Sequence, residues 1–255
     1  MKVLFIGDIV GRPGRRILHS HLKPLVEQEQ IDFVIANGEN AAHGKGITKR
    51  VYQQLINSGV DCVTLGNHAF SKKDIVSQYQ ELDNLLFPVN FVNDDSYPSS
   101  KLYTIGNQQL LVSNIMGTVF MNEGVSDPFE SFQKILEKYP EAWHIVDFHA
   151  EATAEKQLFA RVFASQSVMI VGTHTHVQTA DEQIIDGCGY ITDVGMTGAY
   201  ESILGRNIEE VISRHLKNKA TYYQVAEGKA MLNAVICQIE EGQCIAIKRL
   251  NIKES

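Results

Sequence analysis

Short apolar runs alternate with stretches of helical period over the first eighty residues. Val3-Leu4-Phe5-Ile6, Phe33-Val34-Ile35-Ala36 and Cys62-Val63-Thr64-Leu65 read as buried strands. Between the first two, Ile17, Leu18, Leu22, Leu25 and Val26 mark one face of a helix over Arg15 to Glu29, and a second helix is expected near Lys49 to Ser58. Ser71 and Asp74 have the spacing of a capping box for a third. Strands that are apolar without alternation, separated by helices, predict an α/β fold with parallel strands covered on both faces.

The middle of the chain changes character. Pro88 to Phe91, Leu102 to Ile105 and Leu110 to Ile115 are strand-like, and Asp127-Pro128 opens a helix that runs to about Lys138. Two more buried strands, Ile145 to Phe148 and Val168 to Val171, are expected with a helix between them. A strand at Gly189 to Thr192 and a helix near Asn207 to Leu216 come next. Last is a hairpin, Met231 to Ile239 and Cys244 to Leu250, turning at Glu241-Gly242. There is no internal repeat, linker or low-complexity stretch, so a single domain over residues 1–255 is expected.

Composition narrows the class. With 44% hydrophobic and 21% charged residues over 255 positions, disorder and collagen-like repeats are excluded. A net charge of −7 argues against stable binding to nucleic acid or to an anionic membrane. Cys62, Cys188, Cys237 and Cys244 form no C-x-x-C pair, so neither a zinc ribbon nor a redox motif is present. No apolar run is long enough to span a membrane, and the N-terminal one is too short for a signal peptide; a cytoplasmic location is expected.

The informative pattern lies at the carboxyl end of each buried strand. Asp8 stands after the first, Glu39-Asn40 after the second and Asn67-His68 after the third. His149 comes after Ile145–Phe148, and His174 and His176 come after Val168–Val171. In open α/β sheets, ligands bind outside the carboxyl ends of the strands, so five strand ends deliver metal-competent groups to one edge. Gly7, Gly38, Gly66 and Gly172 flank these points, either for close approach to a ligand or as turn residues. In an extended Thr173-His174-Thr175-His176 segment the two imidazoles share a side and could serve adjacent metals. Carboxylate, amide and imidazole without thiolate suits Mn, Fe or Zn.

The ordered set Gly7-Asp8, Gly38-Glu39-Asn40, Gly66-Asn67-His68, His149 and Gly172-Thr173-His174-Thr175-His176 resembles the motifs of the calcineurin-like metallophosphoesterases. Longer strings, Asn37 to Gly46, Asp147 to Thr153, Val171 to Asp181 and Thr192 to Gly198, are similar to the YmdB-type phosphodiesterase branch, and the likeness covers essentially the whole chain. Against the wider superfamily, Val10 stands where histidine is usual, Glu39 where a bridging aspartate is usual, and Ala69 where an acid often follows Asn-His. The first two departures also belong to the branch. They make Asn40 the natural substitute ligand.

The resemblance implies an α-β-β-α sandwich with mixed sheets and a centre of two divalent or transition metal ions, Fe or Mn first, with Zn also compatible. Asp8, Glu39, Asn40 and His176 would hold one ion; Glu39 would bridge to a second held by Asn67, His149 and His174. It further implies that a metal-bridging hydroxide attacks phosphorus while His68 protonates the leaving oxygen. The substrate would be a small phosphodiester or cyclic nucleotide, with nucleoside 2′,3′-cyclic phosphates foremost. A phosphomonoesterase or 5′-nucleotidase could use the same metals, and a regulatory binding protein could use them architecturally.

Other residues carry two readings each. His43 could touch substrate or be solvent-exposed, and Arg12 and Lys45 could meet phosphate or be solvated. Asp193 could support a metal histidine or serve a turn. Substrate selection is expected somewhere between Phe87 and Gly124, and a homo-oligomer stays open. Two divalent ions would offset four of the seven excess negative charges, which weakens the charge argument against nucleic acid without reversing it.

Overall fold

A computed structural model describes residues 1–91, 96–121 and 124–254. The chain begins β1 (Lys2–Ile6), β2 (Asp8–Ile9), α1 (Gly11–Glu29), β3 (Phe33–Asn37), α2 (Lys49–Asn57), β4 (Cys62–Thr64), α3 (Lys73–Gln78) and β5 (Leu85–Leu86). It continues with β6 (Ser100–Ile105), β7 (Gln108–Met116), α4 (Pro128–Lys138), β8 (Trp143–His149), α5 (Thr153–Phe163) and β9 (Met169–Thr173). The last third holds β10 (Gln183–Ile185), β11 (Cys188–Ile191), β12 (Met196–Ala199), α6 (Ile208–His215), β13 (Ala230–Glu240) and β14 (Gln243–Lys253).

These strands form two sheets. An eight-stranded sheet runs β2-β12-β13-β1-β3-β4-β5 with β14 added on β13, and a six-stranded sheet runs β10-β11-β9-β8-β7-β6. β1, β3, β4 and β5 are mutually parallel, with Leu4 opposite Val34 and Val63 opposite Ala36. β7, β8 and β9 are parallel in the second sheet. β13 runs antiparallel to β1, which makes the first sheet mixed.

Alternate residues explain the layers. Val3, Phe5, Ile35, Val112, Ile145, Val171 and Val235 are buried between the sheets, while Leu4, Ile6, Val34 and Val63 face α1 and α2. On the opposite side Phe132, Phe159 and Phe163 of α4 and α5 close over the six-stranded sheet, with Phe148 stacked on Phe159 at 4.3 Å between ring centres. Each large side chain buried in this way contributes about 1.5–3 kcal/mol. The result is an α-β-β-α sandwich with mixed sheets. Among the described residues no helix is long and apolar enough to cross a membrane.

Some expectations need correction. Ser71 does not cap α3, which begins at Lys73 without a side-chain cap; Asp74 instead accepts the Lys49 amide at 3.2 Å. The strand expected at Pro88 to Phe91 lies upstream at β5, because Pro88 has no N–H for a ladder; Phe91 makes only an isolated bridge to Val125. Part of the Phe87–Gly124 segment expected to select substrate, residues 92–95 and 122–123, lies outside the described residues. By contrast Asp127 caps α4 through the amides of Phe129 and Glu130, and Asn207 caps α6 through that of Glu210.

Candidate metal centre

The carboxyl ends of the parallel strands in both sheets point to one edge. Asp8 reaches it because the chain kinks at Gly7 and re-pairs as β2, with Asp8 opposite Met196 of β12. Glu39 and Asn40 follow β3, Asn67 and His68 follow β4, His149 ends β8, and His174 and His176 follow β9. The backbone at Gly66 passes so close to the site that a Cβ there would lie 2.4 Å from Glu39 Oε2 and His149 Nε2. This glycine therefore lets the backbone approach those two side chains, and its carbonyl also opens the turn by accepting the Ala69 amide at 3.0 Å.

Ligand atoms of Glu39, His149 and His174 lie within 4.8 Å of one another. His149 Nε2 is 3.3 Å from Glu39 Oε1, 3.1 Å from Asn67 Oδ1 and 3.0 Å from His174 Nδ1. At the other end, His176 Nε2 stands 3.9 Å from Asp8 Oδ1 and 3.4 Å from the Asn40 amide, which also reaches Glu39 Oε1 at 2.8 Å. The seven side chains are thus brought together, with Glu39 between the two ends.

The protonation logic beneath His149 is informative. Asp147 accepts hydrogen bonds from Asn37, Thr64 and Thr173, the last at 2.7 Å. Thr173 Oγ1 has therefore spent its proton and takes one from His149 Nδ1 at 2.8 Å, which leaves Nε2 as the ring nitrogen that faces the acceptor oxygens of the site. Asp8 Oδ1 is buried and, among the described residues, without a hydrogen-bond partner. Acceptors that converge in this way need a cation, so the donor set fits a metal.

The electrostatics agree. Burial would lower His149, but the Glu39 carboxylate and then Asp8 outweigh it and raise the pKa to about 9: without a metal, a proton is drawn to the same place. Burial would raise Glu39, yet His149 and His68 hold it well below the usual carboxylate range. Burial pushes Asp8 up to about 6, against the pull of His176 and His149. Burial and the neighbouring His149 push His174 down to about 3, so it stays neutral and free to ligate.

The Thr173–His176 segment is not extended, contrary to expectation. His174 and His176 both have positive φ, +99° and +67°, a conformation rare for non-glycine residues. This turns the two imidazoles toward different ends of the centre. Lys156, buried in α5, holds the segment by donating to the Thr173 carbonyl and to Asp193 Oδ2, both at 2.7 Å. Asp193 in turn accepts the Thr175 amide and hydroxyl. Asp193 therefore supports the residue between the two histidines, without touching either. Lys156 and Thr173 were missed from sequence. Lys156 shares a helix face with Phe159, Ala160 and Phe163, and a cation on that apolar stripe was the available signal.

A cavity of about 400 Å³ opens over the centre, lined by His68, Lys45, Glu151, His174, Arg206 and Tyr223 among others. Arg206 and Tyr223 form a cation–π pair at 4.9 Å, and Tyr223 donates to the Gly44 carbonyl. Arg12 and His43 lie outside this cavity and line a neighbouring one.

Two mixed sheets between helices, with carboxylate, amide and imidazole groups at their common carboxyl edge, define the metallophosphoesterase type of fold. A Staphylococcus aureus structure described as a candidate 5′-nucleotidase shares that fold at a TM-score of 0.63 and 14% identity, over 99% of this chain and 54% of that one. The chain belongs to the family described as YmdB-like protein, which matches residues 4–250. It is 40% identical to a 2′,3′-cyclic-nucleotide 2′-phosphodiesterase of Bacillus subtilis, over 97% of this chain and 95% of that protein. A Mycoplasma pneumoniae structure described as a novel phosphatase superposes with a TM-score of 0.94 at 33% identity, over 99% of this chain and 93% of that one. By this kinship the chain is a hydrolytic enzyme.

Proposed function

We propose that this enzyme hydrolyses phosphodiesters, with nucleoside 2′,3′-cyclic phosphates as substrate, at a two-metal centre. The observation that carries the reading is the convergence of Glu39, Asn67 and His174 on His149 Nε2. The activity named for the Bacillus subtilis relative supports the substrate. Asp8, Glu39, Asn40 and His176 would hold one ion, and Glu39, Asn67, His149 and His174 the other, with Fe or Mn suited to these donors and Zn compatible. Bound there, two ions supply Lewis acidity toward the phosphoryl oxygens and make a water acidic enough to act as nucleophile near neutral pH.

The chain's own groups do the rest. His68 lines the cavity on the turn after β4, its backbone amide tied to Glu39 Oε2 at 3.1 Å. Its imidazole protonates the departing ribose oxygen. Asn67 precedes His68 in the chain, so in this reading a metal ligand and the proton donor share one turn. Lys45 and Arg206 offer positive charge to the phosphate from the cavity wall.

The test compares 2′,3′-cyclic AMP, 3′,5′-cyclic AMP, AMP and an aryl phosphate with added Mn²⁺, using Glu39→Gln as control. The expected order puts 2′,3′-cyclic AMP first, and the variant loses both metal and turnover. The phosphatase description of the Mycoplasma relative favours a second reading, phosphomonoester hydrolysis. A rate on AMP above that on every diester would replace the first reading with the second.

A further inference from the structure

Beside the reaction cavity lies a larger one of about 770 Å³ whose wall carries Arg12, Arg15, Arg16 and His43. The two cavities meet at Tyr223, which lines both, and at the adjoining His43-Gly44 turn, where Gly44 lines the reaction cavity. Tyr223 is held in that position: its hydroxyl donates to the Gly44 carbonyl, its ring carries Arg206, and a Cβ on Gly44 would collide with the ring at 2.6 Å. This dividing wall is therefore fixed in place.

The charge on the second cavity is compensated only in part. Arg16 is paired with Glu254, and Arg15 reaches only the carbonyl of Ala41. Arg12 has no hydrogen bond or ion pair among the described residues. Glu227 is the single carboxylate in the lining. Burial lowers the Arg15 pKa, and Arg12 and Arg50 add to the effect by like-charge repulsion. The first turn of α1, which carries Arg12, contains no acidic residue, and Arg15 and Arg16 follow in the next turn. With Arg16 paired to Glu254, Arg12 and Arg15 face this cavity against Glu227 alone, a local positive excess in a chain of net charge −7 that an anion would relieve.

We propose that this arginine-lined cavity binds the phosphates of an oligoribonucleotide whose 2′,3′-cyclic phosphate end occupies the metal centre. The inference rests on the phosphodiesterase reading and deepens it. A 2′,3′-cyclic phosphate closes the 3′ end of a ribonucleotide, so any extension leaves from the 5′ side as further phosphodiesters. Those groups need a cationic surface adjoining the reaction cavity, which Arg12 and Arg15 provide. Guanidinium is suited to the task, because its fork matches two phosphate oxygens at once. The same chemistry fits a free inorganic anion, which the test separates.

The experiment measures kcat/KM for adenosine 2′,3′-cyclic phosphate and for a triadenylate ending in a 2′,3′-cyclic phosphate, using the Mn²⁺-loaded full chain. The trinucleotide should be preferred by about tenfold, a preference that weakens as salt rises, since phosphate contacts are screened. Arg12→Glu should bring the ratio of the two kcat/KM values to about one. A ratio near one in the unsubstituted enzyme, or one unmoved by Arg12→Glu, overturns the proposal. Anisotropy of the labelled trinucleotide reads binding apart from turnover. If neither compound is hydrolysed, the phosphodiesterase reading fails by itself. Binding weakened about tenfold by Arg12→Glu still supports the cavity, and unchanged binding rejects it. Displacement of the trinucleotide by equimolar pyrophosphate would identify a free-anion site and also reject it.

Discussion

At the scale of single residues, the centre depends on where protons are absent. Thr173 has one hydroxyl proton and gives it to Asp147, so His149 keeps its Nδ1 proton for Thr173 and turns Nε2, the nitrogen open to a metal or a proton, to the site. No residue in this chain of contacts is unusual by itself; the direction of the hydrogen bonds decides the chemistry. His68 has a separate task, because its imidazole lines the cavity while its backbone amide serves Glu39. His68→Ala should therefore keep metal content and fold while kcat falls by about 10²–10⁴. Plasma emission counts the metal, and steady-state kinetics with 2′,3′-cyclic AMP gives kcat. A variant that loses its metal as well would assign His68 to ligation rather than proton transfer.

At the scale of elements, α5 links the helical layer to the ligands through one buried cation. Lys156→Met leaves Asp193 unpaired and the Thr173 carbonyl without its donor, so about 3–5 kcal/mol of stability should be lost. Metal affinity should fall by about 10–100-fold, because the segment carrying His174 and His176 at positive φ loses its anchor. Urea unfolding reads the first effect and chelator competition the second; unchanged affinity would make Lys156 purely structural. The neighbouring β8 offers a pH test. His144 is buried at 2% exposure, and burial lowers its pKa below the usual 6.5, against its hydrogen bond to the Tyr139 carbonyl. The unfolded chain then binds more protons below pH 6.5, so stability is full above that value and declines as the pH falls further. His144→Gln should show a shallower decline in urea midpoint between pH 6.5 and 5 than the unsubstituted chain.

The same elements show what could be read in advance. Apolar runs such as Val3–Ile6 and Ile145–Phe148 announced their strands because both faces of each are buried, so hydrophobicity alone located them. The polar residues ending those runs then located the side chains that converge at the candidate centre. Strands as short as Asp8–Ile9 and Met196–Ala199 carry too few residues for a period. Ser71 failed as a cap because cap geometry depends on where the helix begins, and tertiary contact with Lys49 claimed Asp74 instead. Asp147 and Lys156 were hidden for another reason. Their partners, Asn37 and Thr64 on one side and Asp193 on the other, are distant in sequence.

At the scale of the molecule, the centre is a joint between the two sheets. Asp8, Glu39, Asn40 and Asn67 come from the eight-stranded sheet, and His149, His174 and His176 from the six-stranded one. Asp147 already crosses the gap by accepting from Asn37 and Thr64, but toward the edge the sheets meet through His149, whose hold on Glu39 requires a cation, a proton when no metal is bound. A metal ion replaces that proton with more charge and more ligands, so loading the centre should tie the sheets together where the apolar layer between them ends. A ligand that binds only the folded chain at a hundred times its Kd adds about 2.7 kcal/mol. For a chain of this length each kcal/mol moves Tm by about 2–4 °C, so Mn²⁺ should raise Tm by roughly 5–11 °C over the chelator-treated protein. Hydrogen exchange separates this account from general tightening. Removal of metal should accelerate exchange at the carboxyl ends of β3, β4, β8 and β9 together, while amides in the middle of β1 and β13 keep their protection. Loss of protection confined to one sheet would show that the metal is held by that sheet alone, and would break the seven-residue assignment into two independent halves.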